Sequence, residues 1–276
     1  MLARVAQDGY VFAALSPARR RFVMLMAAMA TVVVVVVTIV VIGRATSGVE
    51  PVPQGSPGPV LLVPGYGGSL RSLEPLVARL RAEGRDASIV ALAGDGTGDL
   101  HQQAQVLQDA AQAALSRTGA ASVDVIGYSA GGVVARLWVR DFGGAQIARR
   151  VLTIGSPHHG TSVAELASEA VPGLCTGACE QLNPDSDLLR MLNAGDETPE
   201  GPRFVSIWST ADELVTPPAS SELEGALNLS VQSLCPTSQV LHRALPADPL
   251  VLSLVVLEIG PALPAVPTSA DCRVAS

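Results

Sequence analysis

The sequence predicts an α/β fold in which a mostly parallel sheet carries helices on both faces. Short β-branched runs alternate with longer segments of helical periodicity, and the runs at residues 151–154 and 204–208 are compact and mostly apolar, as in strands buried on both faces. Of the 276 residues, 48% are hydrophobic and only 16% are charged, so a disordered chain is excluded. The net charge of -7 also argues against a nucleic-acid partner, because binding phosphates requires positive charge.

Each element of this fold has its own signal in the sequence. The predicted strands are residues 60–63, 88–92, 123–126, 151–154 and 204–208. Ser72 is expected to cap a first helix that stops at Gly84, and Asp99 a second helix that ends before Gly119. The apolar run at residues 250–259 is too short to cross a membrane and is predicted to be a core helix.

The N-terminal region predicts a membrane anchor. Residues 22–42 form an uncharged run that would span about 31 Å as a helix, which matches one bilayer crossing. Three arginines at residues 19–21 precede the run and only Arg44 follows it, which places residues 1–21 in the cytoplasm and the remainder outside. The competing interpretation is a cleaved secretory signal, whose apolar core is usually only about 7–15 residues long. The first interpretation gives a single-pass cell-membrane protein, and the second a secreted one.

Both interpretations export the C-terminal part of the chain. Residues 43–59 are rich in Pro and Gly and are expected to be a linker, followed by one α/β domain at residues 60–276. All four cysteines lie in this domain, and an even number in an exported protein suggests two disulfides. Of the three possible pairings we favour Cys175 with Cys179 and Cys235 with Cys272. Zinc is the alternative, but these spacings match its ligand patterns poorly, so no metal is predicted.

A nucleophilic serine is predicted at the turn after the third strand. Residues 127–131 read Gly-Tyr-Ser-Ala-Gly, which fits G-x-S-x-G between a strand and a helix expected at residues 132–142. The turn must be so tight that side chains at Gly127 and Gly131 would collide with neighbouring backbone. Ser129 would then stand above the sheet edge, exposed to a substrate.

A serine hydroxyl needs a general base, and the base needs an acid that fixes its tautomer. In this strand–turn–helix context the acid follows the serine and the histidine comes last. Asp212 follows the strand at residues 204–208 and is our predicted acid, with Glu213 as its nearest rival. A solvated loop acid is the alternative interpretation of Asp212.

His242 is the predicted base, because it follows Asp212 by thirty positions. Of the three other histidines, His101 is expected to be a solvated residue in the first turn of a helix. His158 and His159 precede the predicted acid, so their order in the chain disagrees with the pattern.

Two backbone N–H groups are expected to stabilise the oxyanion of the reaction. One belongs to Ala130, directly after the nucleophile and at the positive end of a helix. We assign the other to Tyr66, in the glycine-rich loop after the first strand. The Gly-rich segment at residues 94–99 lacks P-loop and EF-hand spacing and is predicted to form a rim of the site. Residues 161–200 are predicted either to cap the serine with apolar side chains or to pack in the core.

Taken together, these motifs resemble the α/β-hydrolase superfamily, and more narrowly the bacterial class 2 triacylglycerol lipases and esterases. The resemblance covers about residues 60–259 and rests on Leu-Val-Pro-Gly-Tyr-Gly at residues 62–67, the motif at 127–131, and Gly-Ser-Pro-His-His-Gly-Thr at 155–161. It implies hydrolysis of carboxylic esters without a cofactor, with Ser129, Asp212 and His242 as the triad. It also implies Tyr66 and Ala130 as oxyanion donors.

The leading hypothesis is therefore a membrane-tethered, extracytoplasmic serine esterase or lipase that acts on a lipid or small ester. An acyltransferase that passes the acyl group to an alcohol of the cell envelope is the alternative, since only the acceptor differs. A non-catalytic binding module is less favoured, because a decayed site would be expected to lose at least one member of the triad. The sequence makes no prediction of oligomeric state.

Overall fold

A computed structural model describes residues 16–46, 49–165 and 175–267. The chain divides into two units, Met1–Gly48 and Val49–Ser276. The first unit contains helix α1, Pro17–Thr46, and the second contains the sheet and the other helices that the structure describes. In the described part of the chain, no helix combines the length and the apolarity that a membrane crossing requires. The structure therefore does not support the membrane-spanning segment that we predicted at residues 22–42.

The second unit is built on a six-stranded sheet in the order β2-β1-β3-β4-β5-β6, and every neighbouring pair is parallel. The strands are β1 Val60–Val63, β2 Ala87–Ile89, β3 Val123–Tyr128, β4 Ala148–Ile154, β5 Arg203–Trp208 and β6 Leu227–Ser230. The predicted fold class is confirmed, and the five predicted strands are all present. The sixth, β6, was not predicted from the sequence.

Seven helices of the second unit are described: α2 Glu74–Ala82, α3 Leu100–Thr118, α4 Ala130–Asp141, α5 Ala178–Gln181, α6 Asp187–Leu192, α7 Val231–Leu234 and α8 Pro249–Glu258. Short 3₁₀ segments are Arg71–Leu73, Gly144–Gln146, Pro218–Ser221 and His242–Ala247. Helix α8 confirms the predicted core helix. The helix after the nucleophile begins two residues earlier than predicted, directly at Ala130.

Helices cover both faces of the sheet, which explains why its strands are mostly apolar. Successive side chains of a strand point to opposite faces, so each strand contributes to two cores. On one face, Leu61 and Val125 pack in a buried cluster with residues of α3 and α4. On the other face, Leu62 and Ile126 pack with residues of α2 and α8.

The predicted helix caps had different outcomes. Asp99 caps α3 as predicted, because its side chain accepts a hydrogen bond from the Gln102 N–H. Gly119 ends the helix with a φ of +69°. Ser72 was wrongly predicted as a cap, since its hydroxyl donates to the Ser69 carbonyl from within a 3₁₀ turn. The α-helix begins only at Glu74, where the following Pro suits the first helical turn.

A buried charge cluster lies where β3 and β4 begin. Asp124 and Arg149 are fully buried and form a two-point ion pair, with oxygen–nitrogen distances of 2.9 and 2.6 Å. Arg85 also donates to Asp124, over 2.6 Å. Arg149 reaches the carbonyl oxygens of Ile259 and Gly260 as well, so the cluster fixes the segment after α8 to this edge of the sheet.

Candidate active site

The turn from β3 into α4 places Ser129 in a strained conformation above the sheet. Its φ of +53° and ψ of -126° lie outside the regions favoured by residues with a side chain. Among the described residues, Ser129 is the one non-glycine residue with a positive φ. Such strain persists only where the surrounding structure imposes it, and it clusters at functional sites.

The glycines on either side of Ser129 are required by close packing. A Cβ on Gly127 would lie 2.4 Å from the Gly131 carbonyl oxygen, and a Cβ on Gly131 would lie 2.2 Å from the carbonyl oxygen of Val63. Both distances are shorter than any tolerated contact. The two glycines therefore occupy the positions that we predicted for the tight turn, and they bring β1, β3 and α4 together beneath the serine.

Three side chains from separate loops form one hydrogen-bonded line. The His242 Nε2 atom lies 3.0 Å from the Ser129 hydroxyl oxygen. The other ring nitrogen, Nδ1, lies 2.7 Å from the Asp212 Oδ2 atom. A carboxylate at this position accepts a hydrogen bond from the Nδ1–H group, which leaves Nε2 unprotonated and able to take a proton from the serine. The structure thus brings together the three residues predicted as the triad.

The Asp212 carboxylate is itself held in place. Its Oδ1 atom accepts hydrogen bonds from the N–H groups of Leu214 and Val215, at 2.9 and 2.8 Å. The other oxygen faces His242, and the residue is only 5% exposed. This arrangement is that of a preorganised, buried acid rather than a solvated loop residue.

The backbone of His242 is fixed at both of its polar groups. Its N–H donates to the Glu213 carboxylate at 2.9 Å, and its carbonyl accepts from the Tyr128 hydroxyl at 3.2 Å. The Tyr128 ring also lies against the imidazole, with ring centroids 5.2 Å apart. Burial raises the pKa of Tyr128, as do the charges of Asp212 and Glu213, so its hydroxyl keeps the donating proton. Glu213, the rival acid, therefore contacts the histidine backbone and not the imidazole.

Gly155, at the end of β4, is a site residue whose role was missed from the sequence. A Cβ here would lie 3.2 Å from His242 Nδ1 and 3.3 Å from Asp212 Oδ2, and the φ of +54° also disfavours a side chain. A glycine directly after a buried strand was the available signal. Its missing side chain lets β4 approach the imidazole–carboxylate pair closely.

The glycine-rich loop after β1 passes directly over the nucleophile. A Cβ on Gly65 would lie 2.9 Å from the Ser129 Cβ, and Tyr66 lines the same pocket as Ser129. Ala130 is the first residue of α4, so its N–H belongs to the group that a helix leaves without an internal partner. Both predicted oxyanion donors thus lie beside the serine.

The predicted rim at residues 94–99 supports this loop. The Gly67 N–H donates to the Gly96 carbonyl at 3.3 Å, and a Cβ on Gly96 would lie 2.6 Å from the Gly68 nitrogen. The same rim continues to the other side of the site, where the Thr97 carbonyl accepts from the Ala178 N–H.

An apolar pocket of about 230 Å³ opens at the serine. Ser129 and His242 line it together with Tyr66, Pro157, Thr161, Val163, Ala164, Cys179, Leu182, Leu214 and Val215. A larger cavity of about 710 Å³ is lined by residues around Pro199 and Leu263 and contains none of the predicted site residues. Chemistry and not size identifies the smaller pocket as the candidate site.

The segment at residues 161–200 has both of the roles that we considered. Val163, Ala164 and Leu182 line the pocket, while Leu188 and Leu189 are buried in the core. Residues 166–174 of this segment, which include three further apolar residues at positions 166, 171 and 174, lie outside the described residues.

The predicted local disulfide is present. Cys175 and Cys179 are bonded, with their Cα atoms 5.1 Å apart. Cys235 is also disulfide-bonded, and Cys272, its predicted partner, lies outside the described residues.

The three remaining histidines have other contacts. His158 is fully buried with its Nε2 atom 3.0 Å from the Thr153 hydroxyl, and burial lowers its pKa well below the usual value. His159 pairs with Glu197 at 2.8 Å. His101 is partly exposed in the first turn of α3, with its Nε2 atom 3.5 Å from Asp141.

The parallel sheet, the strained serine turn and the hydrogen-bonded line define a serine-hydrolase site on the α/β-hydrolase fold. The sequence model of the family "Lipase (class 2)" matches residues 102–244, just over half of the chain. The chain therefore belongs to the class 2 lipase family, which confirms the resemblance drawn from its motifs.

Solved structures show the same fold at low sequence identity. Lipase B of Aspergillus fumigatus matches with a TM-score of 0.62 and 22% identity over 72% of this chain and 51% of that one. This chain thus spans about half the length of that lipase. The mature form of the Bacillus licheniformis lipase BlEst2 gives a TM-score of 0.63 and 16% identity, over 76% of this chain and 94% of that one. No curated protein matches the sequence significantly.

Proposed function

We propose that the protein is an extracytoplasmic serine hydrolase that cleaves carboxylic esters through an acyl-enzyme. The observation that carries the proposal is the line from the Ser129 hydroxyl through His242 to Asp212, with heavy-atom distances of 3.0 and 2.7 Å. Both distances are short enough for proton transfer and for orientation of the imidazole. The apolar pocket beside the serine suits the acyl part of an ester.

In the first half of the proposed reaction, His242 Nε2 takes the Ser129 proton as the serine oxygen attacks the ester carbonyl carbon. The carbonyl oxygen becomes an oxyanion, which the N–H groups of Ala130 and Tyr66 stabilise; each such donor contributes about 3 kcal/mol to the transition state. The carbon–oxygen bond to the alcohol then breaks. The alcohol leaves with the proton from His242, and the acyl group stays on Ser129.

In the second half, water replaces the alcohol. His242 takes a proton from the water, whose oxygen attacks the acyl carbon, and a second oxyanion forms in the same place. Collapse of this intermediate breaks the bond to Ser129, which recovers its proton from His242, and the carboxylic acid is released. Asp212 keeps its charge throughout and stabilises the protonated imidazole.

Hydrolysis of p-nitrophenyl butyrate by the purified protein tests this proposal. We expect turnover by the wild type and a loss of about 10⁴- to 10⁶-fold in Ser129→Ala. Ser69→Ala, at an exposed serine outside the pocket, is the matched control and should keep full activity. Undiminished activity in Ser129→Ala would show that the nucleophile is elsewhere, and an inactive wild type would favour a non-catalytic module. A product ester formed when an alcohol is added would instead indicate acyl transfer.

The exported location has separate support. The Cys175–Cys179 disulfide is of the kind that persists in oxidising compartments, and the N-terminal segment has the composition of an anchor or an export signal. Cell fractionation with alkylation of free thiols tests this part of the proposal. We expect an extracytoplasmic protein with no reactive thiol, whereas a cytoplasmic protein with free Cys175 and Cys179 would contradict it.

A further inference from the structure

The Cys175–Cys179 disulfide lies at the wall of the catalytic pocket. Cys179 belongs to α5 and lines the pocket together with Leu182, one residue beyond the end of that helix. The residues that line it from the Asp212 loop, Leu214 and Val215, are fixed through the hydrogen bonds that orient Asp212. The wall formed by α5 is linked to the Asp212 loop only indirectly: the Thr161 N–H donates to the Leu182 carbonyl at 3.0 Å, and the Thr161 hydroxyl donates to the Leu214 carbonyl at 2.6 Å.

On one side, α5 is tied to the start of α3. The Ala178 N–H donates to the Thr97 carbonyl at 3.0 Å. The Gln181 side chain donates to Asp99 at 2.6 Å and accepts from the Leu100 N–H at 2.8 Å. These contacts hold the outer side of the helix, away from the pocket.

On the pocket side, the Thr161 N–H holds the carbonyl of Leu182, and the disulfide holds Cys179. Cys175 is only 2% exposed, and its sulfur lies 3.6 Å from the carbonyl oxygen of Ala164, another pocket residue. Helix α5 has four residues, and a single helical turn has little stability of its own because nucleation is unfavourable. The covalent bond therefore joins an otherwise weak turn to a buried point beside the pocket.

We propose that the Cys175–Cys179 disulfide is a specificity determinant, which holds the α5 wall of the pocket so that it binds medium-length acyl chains. The inference rests on the proposed ester hydrolysis. The pocket of about 230 Å³ is apolar and has room for an acyl chain of several carbons. Each methylene buried there improves binding about fourfold. We expect an acetyl group to be too short to reach this wall and a hexanoyl group to contact it.

The same position makes the bond accessible to a reductant from the pocket. A thiolate of dithiothreitol attacks the Cys179 sulfur, and Cys175 leaves as a thiolate that takes up a proton. The second thiol of the reagent then attacks the mixed disulfide, loses its proton and releases the Cys179 thiol. The reagent ends as its cyclic disulfide, having supplied two electrons. An acyl-like group in the pocket blocks this attack.

The first test compares p-nitrophenyl acetate and hexanoate in the wild type and in Cys175→Ala/Cys179→Ala. We expect kcat/KM for acetate to change less than about twofold and that for hexanoate to fall about tenfold, mainly through KM. Leu182→Ala should shift the ratio in the same direction. An equal loss on both esters, or no change on either, would overturn the inference. Failure of the wild type to cleave acetate at all would instead refute the proposed function.

The second test keeps the native chain, in case the double variant does not fold. Ser129 is modified with a hexyl- or a methylphosphonate, dithiothreitol is added, and alkylation of Cys179 is followed by mass spectrometry. We expect the hexyl adduct to slow alkylation at least about fivefold relative to the methyl adduct. Alkylation of Cys235, which is also disulfide-bonded, serves as the internal control and should not respond. Equal rates at Cys179 would overturn the inference.

Discussion

The two edges of the sheet use buried polar residues for opposite purposes. At the amino edge, which is formed by the amino-terminal ends of the strands, the Asp124 carboxylate of β3 pairs with Arg149 and Arg85. At the carboxyl edge, which is formed by the carboxyl-terminal ends of the strands, the Ser129 hydroxyl and the His242 imidazole face a pocket. Strand β3 leads to both sites. Whether its polar neighbours are paired internally or open to a pocket therefore depends on the segments that surround each end of the strand.

The comparison teaches how polar groups become either structural or reactive. Arg149 distributes its donors over the Asp124 carboxylate and the backbone carbonyls of Gln54, Ile259 and Gly260. At the carboxyl edge, the ring nitrogen of His242 that faces Ser129 is reached from the pocket, and Ser129 is held in a strained conformation. Mutations at the first edge should therefore change stability, and those at the second should change catalysis.

The largest expected effect is at the carboxyl edge. His242→Ala should lower kcat by about 10⁴- to 10⁶-fold because the base is lost, and should lower the unfolding free energy less than the Asp124 variant below, because Asp212 keeps its two backbone hydrogen bonds. Steady-state kinetics on p-nitrophenyl butyrate and urea denaturation measure the two quantities. A mild loss of activity would point to His158 or His159 as the base. Combining the change with Ser129→Ala should add little, since the triad acts as a unit.

The next effect is at the amino edge. Asp124→Ala should lower the unfolding free energy by about 3–5 kcal/mol, because it leaves the buried charge of Arg149 without its partner. Urea denaturation gives the change, and active-site titration gives the activity per folded molecule, which should stay within about twofold of the wild type. A stable variant that has lost its activity would break the proposed division between the two edges.

A smaller effect is expected at the contacts on the His242 backbone, where structural polar groups position a reactive one. Tyr128→Phe removes one buried hydroxyl but keeps the ring against the imidazole, and should lower kcat about 5- to 30-fold, which corresponds to about 1–2 kcal/mol. Glu213→Ala should have a similar effect, whereas Glu213→Gln keeps an acceptor for the His242 N–H and should retain most activity. Equal activity in the Ala and Gln variants would show that this contact does not position the base.

The smallest effect concerns pH and the amino edge. Burial raises the pKa of Glu258 to about 7, against the nearby Ala265 backbone N–H and the charge of Arg150, which lower it. Between about pH 4.5 and 7 the unfolded chain loses this proton and the folded protein keeps it, so the contribution of Glu258 to stability falls as the pH rises. Wild type and Glu258→Gln should therefore differ most above pH 7, with the variant more stable. A pH-independent difference in urea midpoints would contradict this.

Much of the fold could be predicted from the sequence because its buried strands are short, mostly apolar and separated by segments of helical periodicity. The five predicted strands include four that are buried over most or all of their length. Strand β6 was missed because Leu227–Ser230 is mostly half-exposed and too short to show a clear alternation. The Ser72 cap was wrong because local preference favoured serine, while the start of the helix is set by the proline after Glu74.

The candidate site also contains residues whose roles could be predicted from the sequence and residues whose roles could not. Ser129, Asp212 and His242 carry a recognisable order relative to the strands, so their meeting could be predicted. The roles of Tyr128 and Glu213 could not, because they contact His242 through its backbone, over sequence separations of 114 and 29 residues. Such contacts depend on the path of the loops, for which the sequence contains no periodic signal.

The central claim is that the environment of Ser129 makes its hydroxyl a nucleophile. Reaction with a fluorophosphonate, followed by intact mass measurement and peptide mapping, tests it without knowledge of the natural substrate. We predict one adduct per chain, located on Ser129, absent from Ser129→Ala and formed far more slowly in His242→Ala. An adduct on another residue, or an unreactive wild-type protein that is folded, would contradict the claim.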